Sequence, residues 1–125
     1  YTLTDAWCEP KPVQQRIPIV IGGKGRLRTL RTVARFADQW DMTFPETPDE
    51  WRQLDAVLRA HCQTVGRDEA DIARSVHLEF SAEAEPSALA DRAAAFFDAG
   101  VDIVVWSMRG PVDADRLEPL ARALG

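Results

Sequence analysis

The sequence predicts an α/β domain of four consecutive βα units, half of a TIM (β/α)8 barrel, over residues 17–125, behind a lead-in loop at residues 1–16. Three observations carry this. Short apolar runs suited to strands begin near residues 17, 39, 73 and 101, and a stripe of helical period follows each one. The spacing averages about 28 residues per unit, and a complete eight-unit barrel typically takes about 250 residues, so 125 residues hold half of one. The chain also opens at Tyr1 without an initiator Met, as expected of the back part of something longer. An open doubly wound sheet, with helices on both faces, has the same local periodicity and remains the competing architecture.

In the lead-in, Pro10 and Pro12 flank Lys11 and favour extended, loop-like backbone. Ile17-Pro18-Ile19-Val20-Ile21 is a continuous β-branched run closed by Gly22-Gly23, the pattern of a strand buried on both faces, with Pro18 admissible only at its start. After Gly25, the residues Leu27, Leu30, Val33, Ala34 and Ala37 fall three and four apart and predict a first helix, Arg-rich on its other side. Residues 39–44 form a second strand interrupted by polar residues and ended by Pro45. Thr47 caps the second helix, with Pro48 at its first position and Glu50 three residues after the cap. The stripe of this helix is Trp51, Leu54, Val57, Leu58, Cys62 and Val65, and Gly66 closes it. A third strand runs from Arg74 to Phe80, and a third helix from Pro86 to Ala99 turns Leu89, Ala93, Phe96 and Phe97 inward. Val101 to Trp106 is the fourth strand. A fourth helix covers Asp113 to Leu124 with Leu117, Leu120, Ala121 and Leu124 on one side, and Pro119 distorts it or delays its start.

Twenty acidic against fifteen basic residues give a net charge of −5, and the arginines are scattered, which argues against nucleic acid and anionic membranes as partners. No window approaches the roughly 20 consecutive apolar residues of a membrane span, and no basic then apolar leader opens the chain, so a cytoplasmic protein is expected. Cys8 and Cys62 have no CxxC or Cys/His spacing around them, so no metal site is expected and both read as reduced thiols.

In either architecture ligands bind beyond the carboxyl ends of the strands. The turn Gly22-Gly23-Lys24-Gly25-Arg26 holds three glycines and leads into a helix, so its main-chain N–H groups are suited to approach a phosphate, with Lys24 or Arg26 as an added charge. It is neither a Walker A loop nor a GxGxxG turn, since Arg28 stands where the third glycine belongs. A tight strand-to-helix corner without a ligand is the alternative. His61 sits mid-helix beside Cys62, away from any turn. His77 and Glu79 share one face of the third strand, as an acid-base pair or a structural one, and Ser107 and Arg109 follow the fourth strand towards the mouth. Trp40 and Trp106 read as core. No Ser-His-Asp, Cys-His or paired-carboxylate constellation stands out along the chain, and no catalytic residue is assigned.

Several stretches together resemble the C-terminal half of luciferase-like flavin or deazaflavin oxidoreductases. They are Pro10-Lys11-Pro12-Val13-Gln14, then Ile17 to Gly25, Arg28-Thr29-Leu30 and Ala34 to Asp41, with Gly66-Arg67-Asp68 and Asp98 to Asp102 agreeing further on. The likeness is greatest to the subgroup that uses coenzyme F420. It implies an eight-stranded barrel, hydride transfer on a small-molecule substrate with F420 or FMN, and cofactor-phosphate contacts from Gly22, Gly23, Lys24 and Gly25, with Thr43 at the end of the second strand. Lys24 replaces a commoner glycine and Asp41 a usual asparagine, and a carboxylate at Asp41 is expected to point away from a phosphate. The groups that face the isoalloxazine and the substrate come largely from the first half of such a barrel. Two other readings stand beside this one: a self-associating half-barrel, and a small open-sheet module that binds an anion without redox chemistry.

Overall fold

The computed structural model describes residues 2–7, 9–81, 83–109, 115 and 117–124. Strands β1 (Val20–Gly22), β2 (Gln39–Thr43), β3 (Ala73–Glu79) and β4 (Ile103–Ser107) alternate with helices α1 (Thr29–Phe36), α2 (Pro48–Val65), α3 (Pro86–Phe97) and α4 (Glu118–Leu124). A short 3₁₀ turn at Glu69–Asp71 leads into β3. The strands are all parallel and pair in the order β1-β2-β3-β4. A doubly wound sheet would reverse that order, so consecutive pairing places the chain with the half-barrel.

Register separates the two faces. Trp40, Met42, Val76 and Leu78 point to the helices, where with Leu30, Val33, Trp51, Leu58 and Phe96 they form a core at 1% exposure or less. Helix α1 packs on α2, and α3 on α4 and β4. Among the described residues the opposite face, on which Val20, Asp41, Thr43, His77, Val105 and Ser107 lie, carries no helix. A strand that pairs in a barrel turns this face to the interior, so here it is the inner face.

Local signals set the ends of α2. The Thr47 hydroxyl accepts the Glu50 N–H at 3.2 Å, Pro48 begins the helix, and Gly66 ends it in the left-handed region at φ 70°. A residue with a Cβ is strained there.

The core differs from the sequence reading in four places, each with a physical reason. The first strand, read over Ile17–Ile21 as buried on both faces, is only Val20–Gly22, with Ile17, Ile19 and Val20 each more than two-fifths exposed, because it is an edge whose inner face is open. Leu27 precedes α1 and is exposed. Phe97 and Val65 lie at the outer margins of their helices, past the stripe that meets the sheet, and are also exposed. In α4, which starts at Glu118, one residue before Pro119, Leu120 is buried while Leu117, Ala121 and Leu124 are not. Asp113, the start that the sequence predicts for that helix, lies outside the described residues, as does Cys8.

Candidate functional site

The glycine turn stands at the carboxyl end of β1. Gly23 takes φ 128°, and a Cβ built on it would lie 3.1 Å from the Thr29 methyl group. At Gly25 a Cβ would lie 2.6 Å from Thr29 Oγ1. The Thr29 side chain at the start of α1 therefore crowds the space that side chains at Gly23 and Gly25 would need, and at Gly23 the positive φ favours glycine as well. Gly22 is less constrained, with ordinary contact at 3.8 Å to the Asp41 carbonyl.

Three bonds brace the turn from below and beside it. The Gly23 N–H donates to the Asp41 carbonyl at 3.0 Å, continuing the ladder. The Trp40 indole N–H donates to the Gly23 carbonyl at 2.9 Å, and its ring stacks on Trp51 with centroids 6.1 Å apart. Leu30 N–H donates to the Gly25 carbonyl at 3.0 Å. Among the described residues, the N–H groups of Lys24, Gly25 and Arg26 donate to no other group. Those three consecutive donors, at a strand's carboxyl end and a helix's start, are what an anion requires.

Lys24 is engaged differently from the added phosphate charge that the sequence suggests. Its Nζ donates to the Phe44 carbonyl at 3.0 Å and to Glu50 Oε1 at 2.9 Å, tying the first βα turn to the loop after β2 and to the start of α2. The Glu46 N–H and then the Lys24 ammonium hold the Glu50 carboxyl below its ordinary value of 4.5. With its folded pKa depressed, Glu50 stabilises the fold above about pH 4.5, and that contribution is lost as pH falls through the lower folded value. Glu50→Gln is expected to lower the unfolding free energy measured in urea at pH 7 by roughly 0.5–1 kcal/mol of cap energy, discounted for the water that reaches the pair. The gap between native and variant should narrow as pH falls below about 4.5; a gap that stays constant from pH 7 into the acid range would refute the assignment.

Thr43 ends β2 beside His77 and is exposed at the same edge of the sheet as the glycine turn. Asp41 does point away from the turn. Its side chain lies on the inner face, where Oδ1 accepts the Ser75 hydroxyl at 2.7 Å and stands 3.5 Å from His77 Nε2. His77 Nδ1 lies 3.2 Å from Ser107 Oγ. Glu79 therefore shares a face with His77 but pairs with Arg109, at 3.1 Å. His61, far from any turn in sequence, meets the end of the glycine turn in space, its Nε2 2.8 Å from the Arg26 carbonyl. Trp40 is core as read, and Trp106 packs against the core partly buried. Cys62 is a free, buried thiol, and burial pushes its pKa up, which keeps it protonated and unreactive. Among the described residues no group of three or more His, Cys, Asp or Glu side chains is placed to hold a metal, and no helix is long and apolar enough to cross a membrane.

A model of the luciferase-like monooxygenase family matches residues 1–123. The chain belongs to that family. Similar proteins include the uncharacterized protein Mb0978c of Mycobacterium bovis and the uncharacterized proteins MT0980 and Rv0953c of Mycobacterium tuberculosis. Each is 41% identical over 44 residues, 35% of this chain and 15% of the relative. Each relative is therefore more than twice as long as this chain. As a luciferase-like chain it has an oxidoreductase parentage, and its four parallel βα units are half of that family's barrel.

Two features of the site escaped the sequence reading. The Asp41–His77–Ser107 row joins three strands separated by 36 and 30 positions, and only the register brings them together. The bracing role of Lys24 depends on Glu50, whose place three residues after Thr47 marks it in the sequence only as a helix-cap residue.

Proposed function

We propose that this chain supplies the phosphate-binding turn of a luciferase-like oxidoreductase that moves hydride to or from F420 or FMN on a small-molecule substrate. The open row of N–H groups at Lys24, Gly25 and Arg26 carries the reading. The fit is favourable on the molecule's own terms, since Gly23 and Gly25 leave no side chain over the turn and the carboxylate of Asp41 is turned away. Gly22, Gly23 and Gly25 shape the path, Lys24 contributes its N–H while its ammonium fixes the loop, and Thr43 adds a hydroxyl from β2. A bound flavin or deazaflavin supplies the ring that accepts or gives hydride. Fluorescence titration of the whole protein with F420 and with FMN tests this. Saturable binding of one of them, weakened by competing inorganic phosphate, is expected; binding of neither overturns the reading.

The inner face and the free edges of β1 and β4 support a second element of the proposal: a complementary βα half, from the same polypeptide or a second copy, covers them. Parallel sheets are found covered on both faces, and unpaired edges recruit strands. The chain of residues 1–125 alone is therefore expected to self-associate in light scattering at micromolar concentration. A clean 13.9 kDa species at every concentration counts against it.

A further inference from the structure

The cofactor turn leaves one set of inner-face groups unused. Asp41, His77 and Ser107 come from β2, β3 and β4 and form a row near the carboxyl edge of the sheet, with Ser107 Oγ 3.2 Å from His77 Nδ1 and Asp41 Oδ1 3.5 Å from Nε2. Asp41 is fixed from behind, since its Oδ1 accepts from Ser75, which itself accepts from Gln39 Nε2 at 2.8 Å. A carboxylate only accepts, so the imidazole nitrogen that faces it carries the proton. Nδ1 is then the acceptor, the Ser107 hydroxyl donates to it, and the lone pairs of Ser107 Oγ are left for a further donor. Among the described residues the other charges on this face are Glu79, on the strand of His77, and Arg109 beyond β4, and these pair with each other. Thr43 and Val105, the strand neighbours of His77 on either side, are uncharged.

We propose that Ser107, His77 and Asp41 form a proton line that serves the oxygen of a hydroxyl-bearing substrate. Ser107 is the catalytic residue at its open end, and His77 and Asp41 are positioning residues that receive and hold the proton. In the oxidative direction the substrate O–H gives its proton to Ser107 Oγ as the Ser107 proton passes to Nδ1. The neighbouring C–H bond breaks with its electron pair leaving as hydride to the oxidised flavin or deazaflavin, and C–O becomes C=O. His77 ends as imidazolium facing the Asp41 carboxylate, and the reverse direction returns the proton to a carbonyl oxygen. Only the hydride acceptor rests on the function proposed above.

The test uses p-nitrophenol, a weakly acidic hydroxyl whose ionised form absorbs visibly, with the whole protein and no cofactor. Bound p-nitrophenol is expected to ionise at least about tenfold more readily than free, a midpoint lowered by about one pH unit. The shift should disappear in His77→Gln and Ser107→Ala, shrink in Asp41→Asn and return in Ser107→Thr, which restores a hydroxyl. Nitrogen-15 NMR of the unsubstituted protein should find neutral His77 protonated at Nε2. Failure of p-nitrophenol to bind, an equal shift in His77→Gln, or an Nδ1-protonated His77 overturns the proton line. The cofactor titration described above is read separately, so a protein that binds neither F420 nor FMN yet ionises the phenol keeps the line and loses the hydride acceptor.

Discussion

Arg74→Met is expected to destabilise the fold by about 3–5 kcal/mol, because it leaves a carboxylate buried opposite a thioether. Arg74, at the start of β3, is 6% exposed and donates through Nε to Asp55 Oδ1 at 3.1 Å, with Asp55 itself 5% exposed on α2. The guanidinium also donates to the carbonyls of Glu69 and Ile72, which holds the 3₁₀ turn against the strand. Arg59 reaches Asp55 from the water side at 2.5 Å, and this hydrogen bond raises the pKa of Arg59. It does not replace Arg74, since its own side chain is half exposed. Replacing both members of a buried ion pair with apolar side chains is tolerated far better than removing one partner. Asp55→Leu combined with Arg74→Met removes both charges, and with them the Arg74 Nη2 that has no partner. Urea denaturation of the single and double variants checks this; a single variant within about 1 kcal/mol of native would show that the pair is not a significant support.

Gly23→Val is expected to abolish cofactor binding in the whole protein, a loss of about 100-fold or more from displacing the row of N–H groups. At φ 128° a β-branched side chain is strained, and its Cβ meets the Thr29 methyl group at 3.1 Å. The same strain costs about 1–3 kcal/mol of stability, so the variant is to be titrated well below its unfolding midpoint. Lys24→Ala separates the bracing role from the binding one. Its ammonium serves Glu50 and Phe44, so cofactor affinity should fall by much less than in Gly23→Val. Calorimetry on folded protein checks both, and unchanged affinity in Gly23→Val returns the turn to a plain strand-to-helix corner.

The architecture was legible because its signals are local. Proline, threonine and glycine at Pro48, Thr47 and Gly66 bound α2 as the sequence indicates, and the apolar alternation in β3 places Val76 and Leu78 in the core. What escaped was set by distance. Nothing along the chain links Asp55 to Arg74 until α2 is laid on β3, and the pairing expected for His77 with Glu79 gives way to contacts with Asp41 and Ser107 once the register of three strands aligns them. The exposure of Ile19 and Val20 had a different cause: periodicity reports which residues seek cover, but not whether the covering layer is part of the chain at hand.

The consecutive strand order has a consequence for how the chain acquires its shape. Each pair joins neighbours in sequence, from Val20 with Gln39, through Gln39 with Ala73, to Ser75 with Ile103, so the widest of these separations is 34 positions. Closing a loop of that length has a small entropic penalty that grows only logarithmically, so none of these three pairings waits for a remote partner. Within these four units the sheet can therefore grow in the direction of synthesis, each βα unit docking on the edge left by the one before.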